Sequence, residues 1–256
     1  MGAAAIIESP RRPQREAEPC ASSSVHAHHE PGSFNGALTR EACAALAAAG
    51  DEVVVSDLYA MGFDPVSDRR NFTTVRDPRR LKQQDEESHA SANGGFVAEL
   101  QAEMDKVAWC DALVLQFPLW WLGLPAILKG WVDRVFAVGS AYGGGRYFSR
   151  GVFAGKRAMC SLTVGGPANA YSSIGAYGPL APILYPIHHG ILGFVGFDVV
   201  EPFVVHAPAR MSEEARTACL ADYRRRMLSL ASAPLLPRLD IAAYEGLVLK
   251  AGAAAR

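Results

Sequence analysis

Short apolar runs alternate with helical patterns along most of this chain, and that alternation sets its architecture. VVV at 53–55, DALVLQF at 111–117, KRAMCSLT at 156–163 and FDVVEPFVVH at 197–206 read as buried strands. Between them lie helices. Residues 35–49 place Leu38, Ala42, Ala45, Leu46 and Ala49 on one face and stop at Gly50. Residues 94–109 read as a second helix, and 125–136 as a third that opens on proline at its first helical position. Residues 181–196 predict an apolar, irregular helix. Residues 212–230 predict an amphipathic one, capped by Ser212 with acids in its first turn. Strands and helices in this order predict an α/β fold: a doubly wound parallel sheet with helices on both faces.

The remaining segments frame that domain. Residues 66–93, rich in Arg, Gln, Glu and Ser, predict an excursion over the surface. Residues 1–20 carry Pro10, Pro13, Pro19 and mixed charges and read as a disordered arm. Residues 21–232 form one folded domain in this reading, and 233–256 a C-terminal tail packed on a neighbouring subunit. CASSSVHAH at 20–28 stands where a first strand belongs. Three serines there predict a weak strand, or a divergent segment that loosens whatever it supports.

Composition narrows the function. Half of the 256 residues are hydrophobic, enough for a full core, and 25 basic residues against 26 acidic ones lack the surplus a nucleic-acid binder needs. Five scattered cysteines with no CxxC argue against a disulfide framework or a structural zinc site and fit a reducing cytoplasm. The apolar stretches 116–128 and 178–197 are broken by proline or histidine, so no integral membrane span is expected. The first twenty residues lack a secretory pattern, and Glu8, Glu16 and Glu18 argue against an organelle transit peptide.

Ligands of open α/β sheets sit beyond the carboxyl ends of the strands, so three strand tips carry the interest. The first, HAHHEPGSFNGAL at 26–38, opens a helix whose N–H groups suit a phosphate, with Ser33, Asn35 and His28 able to add hydrogen bonds. A capped helix start with nothing bound is the plainer alternative. GxGxxG and GxxxxGK[ST] are both absent. His26, His28 and His29 lack a carboxylate at metal-ligand spacing, and no metal site is expected. The second tip, QFPLWWLGLPAILKGW at 116–131, sets Trp120 and Trp121 where a planar ring would stack, or where a hydrophobic plug would sit. The third, TVGGPANAYSSIGAYG at 163–178, pairs Gly165 and Gly166, which admit a flat ligand, with the phenols of Tyr171 and Tyr177. An ordinary glycine turn is its alternative.

Taken together, the tips carry a resemblance. SFN (33–35), SDLYAMGFDPV (56–66), QFPLWWLGLPAILKGWVDRVF (116–136), LTVGGPANAY (162–171) and GILGFVGFDVVEP (190–202) resemble the NAD(P)H:quinone oxidoreductases of the DT-diaphorase type, over roughly residues 25–250. AYGGG at 141–145 looks closer to bacterial-type members. The resemblance implies a flavodoxin-like fold, bound FAD, and ping-pong hydride transfer from NAD(P)H to a quinone or related small electrophile. It implies a homodimer with two sites at the interface, to which the tail and the 140–148 loop contribute. It places His28, Ser33, Phe34, Asn35 and Ala37 at the FAD diphosphate. Pro118, Leu119, Trp120, Trp121 and Leu122 border the flavin ring, and Thr163, Val164, Gly165, Gly166 and Tyr171 follow its polar edge. Arg216 and Leu220 lie at the adenine end. Tyr171, Tyr177, Gly165 and Gly166 are the expected catalytic group, and Trp121, Tyr142, Tyr177 and Phe194 wall the substrate pocket.

This chain departs from the vertebrate pattern at four places. Tyr177 replaces a histidine, and a neutral phenol near pH 7 donates a hydrogen bond but no charge. Gly144 replaces a pocket tyrosine, which widens the mouth. Ala243 and Leu247 replace a tail aromatic pair. The serine-rich first strand replaces an apolar one. Three other functions compete with quinone reduction: azo or nitro reduction by the same hydride chemistry, a regulatory flavin-binding module, and a one-electron carrier. The chain's size, its pocket aromatics and its net charge of −1 argue against the carrier.

Overall fold

The structure, a computed structural model, describes residues 20–252. The expected arm, apart from Cys20, lies outside them. Five parallel strands run in the order β2-β1-β3-β4-β5: β1 (Ala21–His26), β2 (Glu52–Asp57), β3 (Ala112–Pro118), β4 (Arg157–Val164) and β5 (Asp198–Val199). A sixth, β6 (Phe203–His206), pairs with the far end of β4. The order reverses around β1, so the connections leave β1 and β3 in opposite directions and open a crevice at their carboxyl ends.

Alternation along the strands feeds two cores. Leu113, Leu115 and Phe117 point to one face, Ala112 and Val114 to the other. The first face packs under α3 (Ala98–Trp109), α4 (Ala126–Val135) and α5 (Leu180–Ile187). The second packs under α1 (Phe34–Ala49) and α6 (Glu213–Leu228), where Leu38 and Leu46 meet Tyr223 and Met227. Ser33 caps α1 by accepting the Gly36 N–H, and Gly50 ends it in the left-handed region at φ 84°. Among the described residues no helix is long and apolar enough to cross a membrane.

Several expectations need correction. The serine-rich strand forms in full: all six residues of β1 are buried and paired with β2, and Ser22 to His26 pair with β3 as well, Ser22 against Val53 and Ala112, Ser24 against Val55 and Val114. None of the three hydroxyls is a fully buried atom without a partner. A central position with two complete ladders outweighs weak strand propensity. Residues 66–93 are more than a surface excursion. They contain α2 (Gln83–Asn93), whose Glu86 and Glu87 are buried and accept backbone N–H groups from Arg76, Asp77 and Val138. The predicted strand 197–206 breaks into β5 and β6 around Pro202, which has no N–H to give a ladder. Pro125 is the N-cap of α4 rather than its first helical residue. The irregular helix is real: α5 contains Pro186 and passes into a π-helical stretch, His188–Gly193.

The tail lies first along its own chain. Leu236 N–H donates to Val199 O at 2.7 Å, Arg238 pairs with Asp198 at 2.6 Å, and Ser149 Oγ meets Asp240 Oδ1 at 2.9 Å. A short hairpin follows, β7 (Tyr244–Glu245) against β8 (Val248–Leu249).

Candidate active site

The first strand tip leaves β1 at His26 and turns into α1. His26 is buried, and its Nδ1 lies 2.9 Å from Thr39 Oγ1. His28 Nδ1 accepts the Glu30 N–H at 3.0 Å, which leaves Nε2 as the protonated nitrogen of the neutral ring. Burial, then the neighbouring His29, holds the His28 pKa below the usual histidine value, so the ring is neutral at pH 7. At the helix start, the N–H groups of Phe34 and Asn35 find no acceptor among the described residues. A helix terminus presents such groups to an anion together with the positive end of its dipole.

The second tip stands across the crevice. Trp121 and Leu122 are consecutive non-glycine residues in the left-handed region, at φ 51° and 58°. Each costs roughly a kcal/mol or more, and such strain concentrates where a loop serves a ligand. Trp121 is fully exposed, while Trp120 is partly covered by the rings of His28 and His29, each at 5.9 Å. The backbone N–H groups of Trp121 and Leu122 have no acceptor among the described residues.

The third tip follows β4. Gly165 has open space where a side chain would stand. A Cβ on Gly166 would lie 3.1 Å from the Tyr171 ring and 3.2 Å from the Tyr177 ring. The two phenol rings stack at 5.0 Å and 27°, and His206 closes on Tyr171 at 5.8 Å. Burial and the adjacent Tyr177 raise the Tyr171 pKa against a hydrogen bond from Gly166, so the phenol keeps its proton at neutral pH.

Buried hydrogen bonds lock the three tips together. Asn35 Nδ2 donates to Thr163 Oγ1 at 2.9 Å, and Gln116 Nε2 donates to Asn35 Oδ1 at 2.8 Å. Leu119 N–H donates to Thr163 O at 2.9 Å. Asn35 therefore spends its side chain inside the protein, contrary to its expected role as a side-chain donor, and retains only its N–H for a ligand. Gln116 went unnoticed in the sequence, although a glutamine inside an otherwise apolar buried strand is itself the signal. It is fully buried and also accepts from Tyr223 at 3.3 Å. On the outer side of α1, the Arg216 guanidinium lies over the Phe34 ring at 5.9 Å, and Leu220 packs in the same cluster.

Tyr142 and Phe194 form a second group. They meet edge to face at 5.5 Å and line a cavity of about 670 Å³ with Glu87, Gln83 and Ile191. Trp121, Tyr171 and Tyr177 do not line it. One chain thus presents the four expected pocket-wall residues on two separate surfaces. Burial, then the charge of Glu87, raises the Tyr142 pKa. The neighbouring glycines 143, 144 and 145 all have positive φ, the loop closes on Arg146, which donates to the carbonyls of Gly139 and Gly143, and Tyr147 stacks on Phe194 at 6.0 Å.

Comparison with known proteins follows the same lines. The description of the flavodoxin-like fold matches residues 24–229. Over 204 residues the chain is 41% identical to NAD(P)H dehydrogenase (quinone) 1 of Cavia porcellus, covering 79% of this chain and 74% of that one. It is 38% identical over 207 residues to the human ribosyldihydronicotinamide dehydrogenase (quinone), covering 80% and 90%. A solved structure from Klebsiella pneumoniae, assigned as a quinone reductase, superposes with a TM-score of 0.81 at 38% identity, over 84% of this chain and 86% of that one. An azoreductase from Bacillus anthracis, at 20% identity and a TM-score of 0.57 over 81% and 98%, shares the fold.

Proposed function

The chain belongs to the flavodoxin-like family of NAD(P)H:quinone oxidoreductases, and from that premise we propose that it binds FAD and reduces quinones by two electrons in a ping-pong cycle. The observation that carries the proposal is the interlock of three strand tips around N–H groups that the protein itself leaves without acceptors. The residues fit the cofactor. An anion suits the N–H groups of Phe34 and Asn35, with Ser33, Ala37 and the Nε2–H of His28 beside them. A flat ring suits the open flank of Gly165 and the loop from Pro118 through Leu119, Trp120 and Trp121 to Leu122. Thr163, Val164 and Gly166 follow its edge. The Arg216 guanidinium over the Phe34 ring, with Leu220 in the same cluster, offers a platform that would suit an adenine, which FAD has and FMN lacks.

A bound flavin would supply hydride chemistry: it would accept a hydride from NAD(P)H and, once the oxidised nicotinamide has left, pass it to a quinone in the same pocket. The protein's part is to orient and to stabilise. Gly165 would let the two partners approach closely, and the N–H groups of Trp121 and Leu122 would suit the ring edge where negative charge gathers. Tyr171, whose phenol keeps its proton at neutral pH, and the Tyr177 phenol stacked on it would supply hydrogen bonds near the reacting face. Tyr142 and Phe194 complete the substrate wall from a second subunit in a homodimer, which accounts for their separation from Trp121 within one chain.

The test is direct. Flavin released from the purified protein should run as FAD, and NADPH should be consumed only when a benzoquinone is added. Release of FMN would overturn the cofactor assignment. Faster turnover of an azo dye than of any quinone would favour the azo-reducing alternative. Bound flavin without turnover of either would favour a regulatory module.

A further inference from the structure

The helix α2 fell in the stretch that the sequence presents as polar surface, yet two of its side chains reach under the substrate wall. Glu87 is only 5% exposed. Its Oε2 accepts the Val138 N–H at 2.8 Å, and its Oε1 accepts Gln83 Nε2 at 2.8 Å. One turn further along the same face, Ser91 Oγ donates to Val138 O at 2.7 Å. Both polar groups of one backbone residue are thus held by α2. Val138 in turn sets Tyr142: the two residues bridge, and the Gly139 N–H donates to Tyr142 O at 2.7 Å. The glycines at 143–145 are conformationally permissive, and Arg146 ties this loop only to itself, at Gly139 O and Gly143 O, so its anchorage to α2 runs through Val138.

We propose that Glu87 and Ser91 are positioning residues for the reducible substrate, fixing Val138 and through it the Tyr142 ring that walls the pocket. The proposal rests on the reading of Tyr142 as a substrate-wall residue. A ring held in place presents a ready surface to the quinone, whereas a ring on a loose glycine loop must be ordered at each binding event. Glu87 also makes the hold depend on pH. Burial raises its pKa against the two N–H donors. Its carboxylate accepts from both Val138 and Gln83; its protonated form must turn one oxygen into a donor. The other ionisable groups on this cavity are the Tyr142 phenol and, from α4, Lys129 and Asp133, which pair with each other at 2.7 Å. Gln83, Gln84, Ile191 and Phe194 add no charge.

The experiment uses the full-length holoenzyme with a soluble benzoquinone and follows KM, kcat and flavin content. Glu87→Ala should raise the quinone KM about tenfold, with kcat changed by less than about threefold and flavin content intact. Ser91→Ala should shift KM in the same direction by about threefold. Glu87→Gln keeps an acceptor for Val138, so its KM should match wild type at neutral pH. The wild-type KM should rise as pH falls, and that rise should vanish in Glu87→Gln. In a Tyr142→Ala background, Glu87→Ala should have no further effect on KM. Wild-type KM in both Glu87→Ala and Ser91→Ala overturns the proposal, and so does an unchanged pH profile in Glu87→Gln. If Tyr142→Ala itself leaves KM unchanged, the substrate-wall reading fails. If Tyr142→Ala raises KM while the α2 variants do not, only the positioning role fails.

Discussion

At the scale of single residues, chemistry and scaffolding share the crevice. Tyr171 and Tyr177 stack over Gly166, and burial keeps the Tyr171 phenol protonated at neutral pH, in keeping with a donor role. Replacing both by phenylalanine should slow flavin reduction by NADPH about 10²-fold in stopped-flow records while flavin content holds. An unchanged rate would remove them from the mechanism. Asn35 is different in kind. Asn35→Ala strips Thr163 and Gln116 of buried partners, which should cost about 2–3 kcal/mol in urea unfolding and weaken flavin binding with it. The glycines, the tryptophans and the tyrosines were legible in the sequence because their types are unusual at strand tips. The inward turn of Asn35 was not, because a hydrogen bond between residues 35 and 163 leaves no local trace. Glu87 was hidden for the same reason: a buried acid serving a backbone N–H 51 positions away reads as ordinary surface charge.

At the scale of elements, hydrophobic period recovered the strands and most helices, and it failed where tertiary pairing decides. The serines of β1 are tolerated because β2 and β3 saturate both of its edges. The strand 197–206 broke at Pro202, a signal present in the sequence but outweighed by the apolar run around it. The α3–α4 contact shows how a buried charge joins elements. Glu103 accepts the Trp131 Nε1–H at 2.8 Å and Lys106 Nζ at 2.5 Å. Glu103→Ala strands the buried Trp131 donor and leaves Lys106 with Ser56 Oγ, and should destabilise the fold by about 2–3 kcal/mol, read as a lower urea midpoint. The π-helical stretch carries an acid-sensitive group. Burial lowers the pKa of His188 from 6.5 to about 4. The unfolded chain therefore takes up a proton that the folded chain refuses, and stability falls as pH drops from 6.5 towards 4, by at most about 3 kcal/mol. His188→Asn should flatten that limb of a urea-midpoint profile against pH; a profile identical to wild type would show that another group governs it.

At the scale of the whole molecule, the division of the expected pocket wall is what the proposed homodimer accounts for. Trp121, Tyr171 and Tyr177 stand at the strand tips, while Tyr142 and Phe194 line a separate cavity of the same chain. The proposed two-fold dimer would bring the first surface of each chain to the second surface of its partner. Mixing Tyr171→Phe/Tyr177→Phe chains with Tyr142→Ala/Phe194→Ala chains should then restore about a quarter of wild-type turnover, since half of the dimers are mixed and each has one intact site. Activity that stays at the level of the parents would place each site within one chain. Beneath all of this lies the claim that three strand tips jointly hold one flavin that exchanges electrons in pairs. Anaerobic titration of the purified protein, followed by flavin absorbance, tests it most directly. One equivalent of NADPH should bleach the bound flavin without a radical stage, and one equivalent of benzoquinone should restore the colour in full. A protein that takes up no flavin, or whose flavin NADPH leaves oxidised, would contradict the account.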